Sequence, residues 1–443
     1  MSRIKKDNRY RFSVFYYVAI IAFMAGIYGF NLGATLSSKA RLINIFILEI
    51  YDVDSMIGTF LLGGFVGVFL GGRLVSDTGR IQPVLGAFAF GVMGQSIAIL
   101  SPTFSTLFIS EFVVGAAFGV YLIAATTYIT EIAPARHRGA CCTLIAVSFF
   151  FFLLLATILR NVLPNNGIVS VSAILSFAIP LLFISYIYLP ESPRYLALSA
   201  STDRALTVLI RLRNSTSEAA RELAAINECV LDNERGIAFF FKSHVFRTVL
   251  WFFVLISVAC HLSGMVIVPY MSLQLAKSYH AAVIYGATIN LGRGGINFIL
   301  LCFMLLSAFL GTVFTFFTVD KLGRRPLILL SVFINEMVVL SVYVLIYVKF
   351  KTVGQYIFIC LLCIYAFTSA LCMTVLLNVI TSELLSDKGR EFGLTLVYLT
   401  NFASTMLSIY FFQKAILSFG FMMVLAMFLL AGAFFHTLVY SGI

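Results

Sequence analysis

Long apolar runs alternate with short polar segments along almost the whole chain. A helix that spans a membrane needs about 20 mostly apolar residues. The sequence contains twelve such runs, near residues 12–35, 55–75, 82–101, 104–128, 140–162, 167–189, 246–273, 296–318, 326–348, 355–379, 391–413 and 415–440. The pattern predicts an all-α membrane protein with 12 transmembrane helices, six before and six after a polar central segment.

The polar central segment begins at Glu191 and is the longest polar stretch of the chain. Within it, Leu223, Ile226 and Val230 recur at helical spacing, which predicts amphipathic helices. The chain is therefore expected to have three parts. They are an N-terminal six-helix membrane half (1–190), a cytosolic helical linker (191–244) and a C-terminal six-helix membrane half (245–443).

The composition of the 443 residues agrees with a lipid environment, since 61% are hydrophobic, 11% are charged and the mean hydropathy is +1.01. Soluble domains carry about 25% charged residues. The net charge of +11 could suggest nucleic acid, but Lys and Arg lie in short loops between apolar runs. We therefore expect a lipid bilayer and no nucleic acid as partner.

The distribution of Lys and Arg predicts the orientation in the membrane, because cytosolic loops carry an excess of these residues. With the N-terminus in the cytosol, 22 of the 30 Lys and Arg residues fall on the cytosolic side. Both termini and the linker are therefore expected in the cytosol, and the protein in the cell (plasma) membrane.

The eight cysteines fall mostly in apolar runs and indicate no disulfide framework. Cys360 and Cys363 form a Cys-x-x-Cys pair inside an apolar run, which favours packing over metal binding or redox chemistry. The sequence offers no pattern typical of a metal cluster, a nucleophile–base pair or a phosphate loop. We therefore predict no enzyme, no catalytic residue, no metal and no cofactor.

Charged motifs occur in matching places on both sides of the central segment. One pair follows the second and eighth spans, and the other leaves the fourth and tenth spans. The motifs are Asp77-x-Gly79-Arg80 with Asp320-Lys321-Leu322-Gly323-Arg324-Arg325, and Glu131-x6-Arg138 with Glu383-x6-Arg390. Two six-span halves with matching loops are typical of transporters built from parallel repeats.

Three further motifs complete a family pattern, and they are Pro190-Glu191-Ser192-Pro193-Arg194-Tyr195-Leu196, Leu262-Ser263-Gly264 and Ser382-Glu383-Leu384-Leu385. With the paired motifs, these residues resemble the sugar porter family of the major facilitator superfamily, and its hexose facilitators in particular. The resemblance implies the 12-helix major facilitator fold and transport of a small solute by alternating access. It also implies a functional monomer that needs no cofactor.

The resemblance implies a gate of charged side chains on the cytosolic side. Glu131 is expected to face Arg390 of the other half, and Glu383 to face Arg138. Exposed ion pairs each contribute about 0–1 kcal/mol, so several together can bias a two-state balance without locking it. Topology-setting loop charges are the simpler alternative. The predicted gating residues are Asp77, Arg80, Glu131, Arg138, Glu191, Arg194, Asp320, Arg324, Arg325, Glu383 and Arg390.

The first span departs from the proton-coupled members of the family. The family has Gly-Tyr-Asp or Gly-Tyr-Asn where this chain has Gly29-Phe30-Asn31. Because Asn31 cannot titrate, the resemblance implies a facilitator. The usual Arg in the fourth span is replaced by Glu111, and a carboxyl group in lipid is costly unless it is paired, hydrated or protonated.

The sugar-binding positions of the family also differ in this chain. Cys260 and His261 replace a Gln pair, Thr157 replaces a Gln, and Asn378 stands at a Trp position, whereas Asn401 matches. His261 is open to two interpretations. It either contacts the substrate or a proton, or it is a polar group whose hydrogen bonds are satisfied within the protein. The substrate-path candidates are Asn31, Glu111, Thr157, Cys260, His261, Asn378 and Asn401.

Three functions remain in view. The first is a facilitative carrier of a sugar or sugar-like small solute. The second is a proton-coupled carrier of another small metabolite, working through His261 or Glu111. The third is a nutrient sensor of the same fold that transports little. The repeated gating motifs favour transport.

Overall fold

The computed structural model describes most of the chain as helices. The described residues are 14–46, 50–100, 103–162, 178, 180–199, 201–213, 215–230, 236–265, 295–348, 353–385, 389–419 and 421–442. Within these ranges no residue is assigned to a strand. The all-α class predicted from the apolar runs is therefore confirmed.

The helices fall into three groups along the chain. Before the linker lie α1 (Gly26–Phe46, after helical residues 14–24), α2 (Ile50–Thr78), α3 (Ile81–Leu100), α4 (Phe104–Ile132) and α5 (Arg138–Val162). The linker holds α6 (Pro193–Leu198), α7 (Thr202–Arg213), α8 (Thr216–Val230) and α9 (Ile237–Lys242). After it come α10 (His244–Leu262), α11 (Gly295–Leu322), α12 (Arg324–Val348), α13 (Val353–Met373), α14 (Thr381–Leu384), α15 (Arg390–Phe419) and α16 (Phe421–Gly442), with a π-helical stretch, Thr374–Ile380, between α13 and α14.

Eleven helical stretches in the described part of the chain are long and apolar enough to cross a membrane. They coincide with eleven of the twelve predicted spans. The remaining one, predicted at 167–189, lies mostly outside the described residues. The membrane-crossing helices extend further than predicted, because α4 reaches Ile132 and α11 reaches Leu322. The repeated acids Glu131 and Asp320 therefore lie in the last turns of spanning helices.

Two glycines with positive φ end α2 and α11. Gly79 has φ 100° and Gly323 has φ 85°, a conformation that L-residues rarely adopt and that commonly terminates helices. The next residues, Arg80 and Arg324, lie at the starts of the following helices. The turns are therefore tight, and each arginine is held close to the helix end that precedes it.

Glycines bring α2 and α4 into close contact. A Cβ atom on Gly67 would lie 1.9 Å from the carbonyl oxygen of Ala116, and one on Gly115 would lie 2.0 Å from that of Phe60. Small residues at such crossings allow helix backbones to pack closely within a membrane. The helices α2 and α4 are therefore closely packed beside the surface that faces α15.

Helices before and after the linker meet along a surface that we call the seam. Its main contacts join α2 to α15 and α5 to α11. Along α2, a Cβ on Gly72 would lie 2.2 Å from Thr395 Oγ1, and one on Gly64 would lie 2.4 Å from the Phe402 ring. The two groups of helices are therefore tightly apposed along this part of the seam.

The linker is helical, as predicted, and packs under the helices that precede it. The Tyr128 hydroxyl on α4 donates to the Pro190 carbonyl oxygen at 2.8 Å. Arg213 at the end of α7 donates to the Ile132 carbonyl oxygen at 3.1 Å and pairs with Glu222 at 2.8 Å. The end of α4 is therefore covered by the linker.

The close contact between α2 and α4 predicts a position-specific stability effect. Gly67→Ala is expected to lower the free energy of unfolding by about 1–3 kcal/mol, because its Cβ would overlap the Ala116 backbone. Gly58→Ala is the control on the same helix, since nothing lies within 4 Å of its Cβ position. The control should be neutral or stabilising through helix propensity. Unfolding temperatures of the detergent-solubilised variants measure the difference, and equal values would contradict the proposed packing.

Candidate functional site

A buried arginine lies at the centre of the end of the bundle where α2, α4 and the linker meet, which we call the charged end. Arg80 is 1% exposed, and its Nε and Nη2 donate to the two carboxylate oxygens of Glu131 at 3.0 Å each. Its Nη1 donates to the Val75 carbonyl oxygen at 3.2 Å. Such paired hydrogen bonds between a guanidinium and a carboxylate combine charge with fixed geometry.

The linker joins this cluster through its first residues. Glu191 accepts hydrogen bonds from the backbone N–H groups of Arg80, at 3.0 Å, and Ile81, at 3.3 Å, and so caps the start of α3. The Ser192 hydroxyl donates to Glu131. The linker start is therefore fastened to both the α2–α3 turn and the end of α4.

Glu391, at the start of α15, supplies a second carboxylate to Arg80 from across the seam. Its other oxygen accepts from the Ser76 hydroxyl at 2.5 Å. Burial by itself would lower the pKa of Arg80, but the carboxylates of Glu131 and Glu391 raise it above its usual value. Arg80 therefore stays charged and links both sides of the seam.

A second cluster repeats this arrangement after the linker. Arg324 donates from Nε and Nη2 to the two oxygens of Glu383, at 2.9 and 2.7 Å. Its Nη1 donates to the Val319 carbonyl oxygen at 3.3 Å, and Nη2 also donates to Asp320 at 2.9 Å. The Arg324 side chain is 28% exposed, whereas that of Arg80 is 2% exposed. The second cluster is therefore more open to solvent.

The expected gating pairs are not those of the structure. Glu131 was expected to face Arg390 and Glu383 to face Arg138, but Glu131 pairs with Arg80 and Glu383 with Arg324. The reason is the pair of left-handed glycine turns, which hold each arginine against the helix end beside it. Arg138 and Arg390 instead begin α5 and α15.

Three other predicted gating residues lie outside these pairs. Asp77 does not face Arg80, because its side chain is 66% exposed and pairs with Arg73 at 3.7 Å. Arg325 donates to the Tyr440 carbonyl oxygen at 2.6 Å and so joins α12 to α16. Arg194 lies in the first turn of α6, where its backbone N–H donates to Ser192 at 3.2 Å.

Hydrogen bonds cross the seam at several depths near the charged end. The Ala140 N–H at the start of α5 donates to Asp320 at 3.0 Å. Deeper in the bundle, the hydroxyls of Thr126 and Tyr398 lie 3.0 Å apart. The two groups of helices are therefore closed against each other at this end.

Asn31, Glu111 and Thr35 form a polar group inside the membrane region. Asn31 Nδ2 donates to one carboxyl oxygen of Glu111 at 2.8 Å, and Thr35 Oγ1 donates to the other at 2.6 Å. Glu111 is 4% exposed. Glu111, at the position of the family's usual arginine, therefore binds Asn31, at the position of its usual acid. This contact joins α1 to α4.

His261 has hydrogen-bond partners at both ring nitrogens. Nδ1 lies 2.7 Å from the Ser257 carbonyl oxygen, which can only accept, so Nδ1 carries a proton. Nε2 lies 2.9 Å from the Thr405 hydroxyl. Because a neutral imidazole satisfies both contacts, the geometry favours the interpretation of His261 as a satisfied polar group in this conformation.

The other substrate-path candidates differ in what their polar atoms do. Thr157 donates to the Leu153 carbonyl oxygen of its own helix at 2.9 Å. Cys260 Sγ lies 3.2 Å from the Met373 sulfur. Asn378 Oδ1 accepts from the Tyr398 hydroxyl at 3.4 Å. Within the described part of the chain, Asn401 Oδ1 is buried without a hydrogen-bond partner, so it can accept from a bound solute.

Sequence reasoning missed Glu391, Ser76 and Thr405. The signal for Glu391 is its position directly after Arg390 of a repeated motif. The signal for Thr405 is its position one helical turn after Asn401, which places both on one face of α15. Ser76 carries a weaker signal. Its equivalence to Asp320 becomes clear only when the Arg80 cluster is compared with the Arg324 cluster.

Over residues 10–443, the chain matches the family described as sugar (and other) transporter. The chain belongs to this family. The galactose-proton symporter of Escherichia coli (strain K12) is 26% identical to this transporter over 426 residues, which cover 92% of this chain and 86% of that protein. The family consists of transporters rather than enzymes.

Solved structures match the fold of this family member. The proton:xylose symporter XylE bound to 6-bromo-6-deoxy-D-glucose has a TM-score of 0.81 at 18% identity, covering 97% of this chain and 96% of that one. The inward-open conformation of XylE from E. coli has a TM-score of 0.69 at 18% identity, covering 95% of each chain. The predicted major facilitator fold is confirmed.

The different burial of the two clusters predicts different effects of the same substitution. Glu131→Gln should lower the free energy of unfolding by about 3 kcal/mol, because it removes a buried partner of Arg80 while Glu391 remains. Glu383→Gln should cost about 1 kcal/mol, because solvent screens the more exposed pair. Thermal unfolding in detergent measures both changes. A larger loss of stability for Glu383→Gln than for Glu131→Gln would contradict the conclusion that burial makes the Arg80–Glu131 pair the stronger one.

Proposed function

We propose that the protein is a facilitative carrier that moves a sugar or sugar-like small solute by alternating access. The observation that carries this proposal is the pair of arginine clusters, one from each group of helices, at a closed end of the seam. Salt bridges and hydrogen bonds at this end can break and reform as the seam opens. Membership of the sugar transporter family supports the solute class.

The site geometry supports a binding region between α10 and α15. His261 of α10 and Thr405 of α15 are in contact across these helices, and Asn401 lies one turn from Thr405. The free oxygen of Asn401 is suited to accept from a solute hydroxyl. The solute is therefore expected to carry hydroxyl groups.

The charged end is proposed to face the cytosol, with both termini and the linker on that side of the plasma membrane. The Lys and Arg bias supports this orientation. The closed charged end then describes a state in which the binding region is shut off from the cytosol. The chain is proposed to work as a monomer made of the two six-helix halves and the linker.

Proton coupling is the second candidate, and one observation favours it. Glu111 places a carboxyl group in the membrane region next to the Asn31 position, where it is 4% exposed. Such a group is costly in lipid and is functional by default. Against it, both oxygens of Glu111 already accept hydrogen bonds, which gives the group a structural role joining α1 to α4.

Uptake into liposomes tests the facilitative mechanism. The purified protein should equilibrate a labelled hexose, pentose or polyol and then stop, with or without an imposed pH difference, because Asn31 cannot exchange a proton. Glu111→Gln should keep proton-independent equilibration. Accumulation above equilibrium when the entry side is acidic, lost in Glu111→Gln, would establish coupling instead.

Topology is tested on the linker, where Arg204 is exposed on α7. In cells expressing Arg204→Cys, a membrane-impermeant maleimide should label the introduced cysteine only after permeabilisation. Quantification of the tryptic peptide that contains position 204 separates this cysteine from the native ones. Labelling in intact cells would reverse the proposed orientation.

A further inference from the structure

The two arginine clusters have the same framework. Each arginine follows a left-handed glycine, and each donates from Nη1 to the carbonyl oxygen five residues earlier. Each also binds the glutamate of the Glu-x6-Arg motif in its own group of helices through Nε and Nη2. The clusters can therefore be compared atom by atom.

This comparison assigns Ser76, and not Asp77, to the position of Asp320. Asp320 lies four residues before Arg324, and Ser76 lies four residues before Arg80. Asp77 is one position out of register and exposed. The position that Asp320 occupies in the Arg324 cluster is therefore occupied by Ser76 in the Arg80 cluster.

The missing acid has a counterpart on the other side of the seam. Arg324 Nη2 binds Asp320, and Arg80 Nη2 binds Glu391. Glu391 directly follows Arg390, as Gly139 directly follows Arg138. A Cβ on Gly139 would lie 2.5 Å from Asp320, so one cluster has an acid facing a glycine, and the other has a serine facing an acid. The Ser76 hydroxyl also binds the Glu391 carboxylate.

We propose that the gating acid of the Arg80 cluster has been transposed across the seam, from position 76 to Glu391, and that Glu391 is the ionic latch of the charged end. This inference rests on the proposed function, because a latch acts only in a carrier whose seam opens. The two clusters then differ in what opening breaks. Asp320 stays with Arg324 and loses its hydrogen bond to the Ala140 N–H, whereas Glu391 leaves Arg80 altogether.

The cost of opening is therefore concentrated in the Arg80 cluster. A carboxylate at the first turn of α15 is stabilised there by the helix dipole in either state. Arg80 keeps Glu131 when the seam opens, so it is not left as an unpaired buried charge. The latch thus opens without unfolding the α2–α3 turn.

Native Cys142 gives a readout that needs no substrate. It is 0% exposed, and its sulfur lies 3.7 Å from Ser382 Oγ across the seam. Its rate of modification by a small maleimide follows the fraction of time that the seam is open. Labelling of the full-length protein in a Cys141→Ser background, followed by mass spectrometry of the tryptic peptide, reports this fraction.

Glu391→Gln is expected to raise the labelling rate of Cys142 about tenfold, as for the loss of one charge-assisted hydrogen bond from the closed state. Ser76→Asp should also raise it, because two acids then face each other. The double variant Ser76→Asp with Glu391→Gly rebuilds the Asp320–Gly139 pattern. It should label more slowly than Glu391→Gly alone, a non-additive result, yet faster than the unmodified protein, because no latch then crosses the seam. Asp77→Asn is the matched control and should leave the rate unchanged.

Additive effects in the double variant, or an unchanged rate in Glu391→Gln, would overturn the transposition. The mirror variant, Asp320→Ser with Gly139→Glu, is a second test in case the first double variant fails to fold. It adds a latch to the Arg324 cluster, so it should label no faster than the unmodified protein, and a rate as high as that of Asp320→Ser alone overturns the proposal. If the unmodified protein transports no sugar but the variants label in the predicted order, the proposed function is contradicted and the latch is supported. Normal transport with additive labelling would do the reverse.

Discussion

The buried charge of Arg80 is the constraint on which the charged end of the molecule depends. A guanidinium removed from water is stable only when carboxylates and carbonyl oxygens satisfy its donors. These acceptors come from α2, from α4 and from α15 across the seam. One side chain therefore holds together parts of the chain that are distant in sequence, and Glu191 and Ser192 bring the linker to the same place.

The Arg324 cluster shows how the same framework behaves with more solvent. Its arginine and glutamate side chains are 28% and 23% exposed, so water weakens their attraction. The Arg80–Glu131 pair is thus buried, whereas Glu391, which reaches Arg80 from across the seam, is 26% exposed. The Arg80–Glu391 ion pair crosses the seam, whereas the Arg324–Glu383 pair lies within one group of helices.

Two buried ionisable side chains within the membrane region have hydrogen-bond partners at both of their polar atoms. Glu111 is held by Asn31 and Thr35, and His261 by Ser257 and Thr405. These hydrogen bonds join α1 to α4 and α10 to α15. Against this background the unpartnered oxygen of Asn401 stands out among the described substrate-path residues, and we propose it as a contact for the solute.

The sequence by itself determined eleven of the spans, the helical linker, the repeat and the family, because apolar length and helical spacing are local properties. Only the tertiary structure decided which acid each arginine binds. Glu131 was expected to face Arg390, yet the left-handed turn at Gly79 holds Arg80 against it. The contact between Glu391 and Arg80 was also not predicted. The sequence offered Asp77 as the acid beside Arg80, whereas Glu391 lies on the other side of the seam. Ion pairs follow distance in space, which spacing along a chain does not fix.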